Sequence, residues 1–205
     1  MTYLWIGLAG VLGTTAMILF MALTHGFRLA NADMVRAIGS IVTRSYEDSL
    51  VPGLLVHYTA GIIFAFCYAL FIGMAPVTNP KVTLVLAVAL GLLHGIIIGL
   101  LLITEITEFH PVQQFQKAGT EVALAHLLGH VVYGGTVGVV LVFTQVQMSG
   151  LWLDLREDSG LPLGEVLGFV PLWLMLFGAP LLFVVYTVGG FWWEKVKADK
   201  VAAKK

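Results

Sequence analysis

The chain has 205 residues, 59% of them apolar and 11% charged, against about 25% charged in soluble domains. That composition excludes an ordinary soluble domain, and a formal net charge of −1 offers no basic surface on which to expect nucleic acid. A single cysteine, Cys67, excludes an internal disulfide and any cysteine-rich zinc or iron–sulfur site. It lies in an apolar run and reads as a small packing residue.

A membrane span needs roughly 20 apolar residues, and five stretches meet that length: about 3–24, 51–75, 82–104, 121–144 and 165–193. The first has no basic segment ahead of it and no polar break after a cleavage site, so it reads as a retained span, not a signal peptide. Between the first two lies FRLANADMVRAIGSIVTRSYEDS. Leu29, Met34, Val35, Ile38, Ile41 and Val42 share one side of a helical projection, while Asp33, Arg36, Ser40, Thr43 and Arg44 gather on the other. That periodicity predicts an amphipathic helix over about 29–45, lying in the interface. The fold class expected is therefore all-α, one polytopic transmembrane bundle of about five spans plus one interfacial helix.

Five spans sort the lysines and arginines onto two sides. Arg28, Arg36, Arg44, Lys117 and the tail residues Lys195, Lys197, Lys200, Lys204 and Lys205 fall on one, Lys81 and Arg156 on the other. The positive-inside rule makes the first side cytoplasmic, with the N-terminus out and the C-terminus in. The basic tail, 194–205, reads as a solvated end near anionic lipid. Tyr3, Trp5, Trp152, Trp192 and Trp193 flank the spans as interfacial anchors. Gly91, Gly95 and Gly99 on the third span and Gly134 and Gly138 on the fourth form small-xxx-small rows, which predict that these two spans pack closely. Pro171 and Pro180 should kink the fifth.

At about 1.5 Å per residue, His57 lies roughly 9 Å inside the cytoplasmic face, His126 about 8 Å, His130 about 14 Å and His94 about 15 Å. His57 and His126 thus share one level, and His94 and His130 a deeper one; His25 and His110 sit at the boundary. Glu105 stands eleven residues after His94 on the same helix face, and Glu108 follows a turn later. Tyr133 continues the face of His126 and His130, and Tyr68 that of His57 through Phe64. Ionisable groups inside a membrane are costly, so a cluster confined to one leaflet marks where any chemistry would sit.

Three chemistries use such a cluster, and the spacing leaves all three open. His57, His94, His126, His130, Glu105 and Glu108 are candidate ligands for a transition metal such as zinc, iron or manganese. His94 and His130, each beside glycines, are the best-matched pair for one b-type haem or related tetrapyrrole. The same groups suit a proton relay from the cytoplasm. No catalytic residue is nominated: the zincin HExxH, the Gly-x-Ser-x-Gly elbow and the P-loop are all absent from the sequence.

VHYTAGIIFAFCYALFIG (56–73), VLAVALGLLHGIIIGLLL (85–102), EFHPVQQF (108–115) and LLGHVVYGGTVGVVL (127–141) together resemble a loose group of uncharacterised bacterial inner-membrane proteins that includes the acid-resistance-associated YagU-like family. The resemblance covers roughly residues 55–142 and implies a multi-pass topology in a bacterial inner membrane. It brings no catalytic residues. The interfacial helix, the linker LWLDLREDSGLPLGE and the fifth span have no counterpart in it. Small size, glycine faces and a basic tail lead to the expectation of a non-enzymatic accessory or scaffold subunit, with the lipid bilayer and other membrane subunits as partners. The alternative is a metal-dependent membrane enzyme or a proton-linked transporter built on the same histidines.

Overall fold

The computed structural model describes residues 2–74, 79–117 and 119–144, and of these the side chains of 2 and 100–108 are outside the description. The expected fifth span and the tail also lie outside the described residues. What is described is all helix and turn, with no strand.

Four helices, α1 (Thr2–Gly26), α3 (Leu50–Met74), α4 (Pro80–Phe109) and α5 (Thr120–Phe143), are long and apolar enough to cross a membrane. They match the first four expected spans within two residues, except at the end of α4. The exposed Leu19, Leu23, Leu55, Val85 and Leu124 fit hydrocarbon, not water. The chain is thus an all-α membrane protein. Asn79 starts α4 by accepting the Lys81 amide on its side chain at 2.9 Å, with Pro80 at the first helical position, where no amide is missed. Nothing in the sequence stops α4 before Pro111, whose ring disfavours helix at His110. The helix therefore runs on through Glu105 and Glu108 instead of ending near 104.

The expected interfacial helix is shorter, α2 (Met34–Thr43). Ten residues reach only about 15 Å, half a bilayer core. Its buried face shares Met34 with the apolar side, whose Val35, Ile38 and Ile41 are half-buried. Leu29 and Val42 are each 69% exposed, whereas Met34, Ala37, Gly39 and Ser40 are buried. Small residues win because α2 is pressed onto the start of α3: a Cβ on Gly39 would strike the Ser49 carbonyl, and one on Gly53 would strike that of Val35. Ser40 meets this burial by bonding its hydroxyl to the Arg36 and Ala37 carbonyls. Arg36 closes the turn from below, donating to the Tyr46 carbonyl at 2.7 Å and lying over the Tyr46 ring. The Tyr46 hydroxyl donates to Asp33 at 2.9 Å, and that bond raises its pKa above the usual value.

α4 packs along α5, α1 lies against both α5 and α3, and α2 rests on α3. Glycines set these approaches. A Cβ on Gly91 would come within 2.5 Å of the His130 carbonyl and 3.1 Å of Gly134 Cα. On the other side of the bundle a Cβ on Gly10 would come within 2.7 Å of Ile62 Cα. The predicted close packing of the third and fourth spans is thus backbone against backbone. α3 and α4 touch far less. The seam between them is filled by Phe64, Tyr68 and His94.

Candidate functional site

That seam, closed from behind by α5, holds the histidines. α4 places His94 one turn beyond Gly91, and α5 places His126 and His130 one turn apart. The absence of side chains at Gly91 and Gly95 lets the two helices close until the imidazoles meet: His94 and His130 have ring centroids 4.5 Å apart, edge to face, and His126 and His130 are also 4.5 Å apart. α3 adds His57, within Coulombic reach of His126 and His130. The equal depth expected for His94 and His130 is thus realised as contact. Exposure is 9% for His57, 7% for His94, 6% for His130 and 2% for His126.

The hydrogen bonds differ from ring to ring. His57 Nδ1 lies 2.9 Å from the Gly53 carbonyl, and His130 Nδ1 lies 3.0 Å from that of His126. A carbonyl only accepts, so both rings carry their proton on Nδ1 and leave a lone pair on Nε2. His94 Nδ1 meets the Tyr68 hydroxyl at 3.2 Å, while Phe64 covers the ring at 3.9 Å between centroids. Tyr68 stands edge-on to Tyr133, whose hydroxyl donates across the bundle to the Gly61 carbonyl. His126 is the exception, since neither of its ring nitrogens has a partner among the described residues. Each such group costs about 1–3 kcal/mol when buried.

Of the expected site residues, the structure brings together His57, His94, His126 and His130. The side chains of Glu105 and Glu108 lie outside the described residues. Among the described residues no three His, Cys, Asp or Glu groups are arranged to hold a metal ion. A haem between His94 and His130 needs a flat slot between opposed rings. These rings are instead in edge-to-face contact on helices whose backbones touch, so the described geometry offers no such slot.

His110, placed at the boundary by sequence, turns out to be 2% exposed. Its Nε2 donates to the Ala37 carbonyl at 2.9 Å, and its Nδ1 accepts the Val112 amide at 3.0 Å. It pins the α4–α5 loop onto α2, aided by Asn31 donating to the Gln114 carbonyl. Burial lowers its pKa, and the bond to the Ala37 carbonyl pulls partly back. Pro111, which halts α4 there, is the only local signal that the ring turns inward.

Fold and site together define a helical membrane protein with four buried histidines in its interior. Comparison with protein-family models, curated proteins and solved structures finds no match.

Proposed function

We propose that this chain works as a proton-linked membrane protein, with the four-histidine cluster as the site that takes up the proton. His126 carries the reading. It is buried with both nitrogens unpartnered among the described residues, in contact with His130 and near His57, whose tautomers leave lone pairs on Nε2. A leucine would fill that place at lower cost unless the nitrogens are used. Such a set accepts a cation. A divalent metal on neutral imidazoles alone would leave two charges buried in hydrocarbon, whereas a proton adds one. Rings in contact repel when both are charged, which limits the cluster to about one proton at a time.

Arg28, Arg36, Arg44 and Lys117 gather at the end of the bundle nearer His57 and His126, with Lys81 opposite. This supports a cytoplasmic location for that end, the N-terminus outside, and proton supply from the cytoplasm. A bacterial inner membrane and kinship with the YagU-like group belong to the same proposal. The accessory-subunit reading draws less support, because the glycine faces that motivated it are used inside the chain, Gly91 on Gly134 and Gly10 on Gly61.

The test is a titration of the full chain, labelled with ¹⁵N-histidine in lipid nanodiscs, from about pH 8 to about pH 5. An imidazolium signal from His126, His130 or His57, lost in His126→Leu, is the expected result. Four cluster histidines that stay neutral throughout would overturn the proposal.

A further inference from the structure

The four rings are not equivalent, and the difference lies in what holds each Nδ1. Carbonyls fix His57 and His130 as Nδ1–H forms. His94 alone is held by a hydroxyl, which is able to donate or accept. Tyr68 settles the direction. It is 2% exposed, and His94 is its one hydrogen-bond partner among the described residues. If Nδ1–H of His94 donated to Tyr68, the phenolic O–H would be left buried and unpaired. If the O–H donates instead, the hydroxyl is paired and the hydrogen of His94 sits on Nε2, which is not one of the fully buried unpaired atoms.

We infer that Tyr68 is a positioning residue that locks His94 as an Nε2–H donor, so that His94 ends the proton's path toward the far half of the membrane. The inference rests on the proton-linked reading of the cluster. Nε2 of His94 already holds a hydrogen and its Nδ1 lone pair is engaged by Tyr68. A proton on His126 or His130 therefore finds no vacant lone pair on the ring 4.5 Å beyond His130. To move on, Tyr68 must first swing its O–H off Nδ1. The proton then binds the freed Nδ1 lone pair, and His94 becomes an imidazolium that keeps its hydrogen on Nε2. The hydroxyl is thus a latch between an accepting group of three histidines and the seam that continues past Tyr68 to Tyr133.

The experiment reads tautomers in the same ¹⁵N-histidine-labelled full chain in nanodiscs, at a pH where the cluster is neutral. In the wild type, His94 is expected to show its directly bonded hydrogen on Nε2, with Nδ1 unprotonated. In Tyr68→Phe, Nδ1 is freed: the Nδ1–H form should appear beside the Nε2–H form, and on acidification the imidazolium signal should extend to His94. A wild-type His94 that is Nδ1–H overturns the inference, as does a Tyr68→Phe protein whose His94 stays wholly Nε2–H. If that variant does not fold, the wild-type tautomer decides alone. Absence of proton uptake together with the expected tautomers defeats the proton-linked function and leaves the Tyr68 assignment standing.

Discussion

His110 and His126 are equally hidden, each 2% exposed, yet one satisfies both ring nitrogens and the other satisfies neither. His110 bonds backbone on two elements, the carbonyl of Ala37 in α2 and the amide of Val112 in the loop, and so acts as a rivet. The ring of His126 sits among other imidazoles and makes no hydrogen bond among the described residues. Burial alone therefore does not separate a structural histidine from a working one. What separates them is whether the ring's donor and acceptor are already used.

The largest effect that sharpens this contrast is expected from His110→Ala. It strands the Val112 amide and leaves the Ala37 carbonyl with one donor fewer, and an unpaired buried group costs about 1–3 kcal/mol. Thermal unfolding of the purified protein in detergent should show a clear fall in Tm. An unchanged Tm would mean that the loop is not riveted to α2.

Acid should reproduce that loss more gently. Burial depresses the folded-state pKa of His110 below the ordinary 6.5, so the unfolded chain binds the proton first. With more protons on the unfolded state, stability rises with pH. The contribution of His110 is then full above about pH 6.5 and fades as pH falls through the depressed folded value. The Tm gap between wild type and His110→Ala should accordingly narrow when both are melted at about pH 5 instead of about pH 7. A gap that widens on acidification would break the assignment.

His126→Leu should behave in the opposite way. It removes two unpaired nitrogens and replaces them with an apolar side chain of similar bulk, a change that is often neutral or stabilising. Its stability should stay within about 1 kcal/mol of wild type, while proton uptake by the cluster is lost. If instead it destabilises as much as His110→Ala, the two histidines are alike and the contrast falls.

Much of this was legible in the sequence, for identifiable reasons. Span positions follow from hydrophobic length, and α4 overran its expected end only because nothing before Pro111 breaks it. Equal depth and the glycine rows made His94 and His130 a matched pair, but their contact also needs the right rotation of both helices, which depth does not fix. The rivet was not legible, since His110 bonds a carbonyl 73 residues away that carries no side-chain signature. Nor was the buried face of α2, where Ala37, Gly39 and Ser40 outcompete larger apolar residues because close approach to Gly53 demands small ones. Tautomers are set by single hydrogen bonds and have no pattern in sequence at all.

The smallest effects test how tightly the cluster is held. Gly95 and Gly99 belong to the same row of α4 yet face different rings. A Cβ on Gly95 would lie 2.9 Å from His130 Cβ and 3.0 Å from Leu127 Cδ1, so Gly95→Ala must push α5 or tilt His130. A Cβ on Gly99 would lie 3.7 Å from His126 Cδ2, an ordinary contact. Gly99→Ala also removes backbone freedom from a helix interior, which favours the helix by roughly 0.5–1 kcal/mol. Gly99→Ala should therefore leave Tm level or slightly raised and the His126 resonances in place, whereas Gly95→Ala should lower Tm and shift the His130 and His94 signals together. Equal responses at the two glycines would mean that His126 is packed as tightly as its neighbour. Its idle nitrogens would then be a consequence of crowding, with no room for the ring to turn toward a proton.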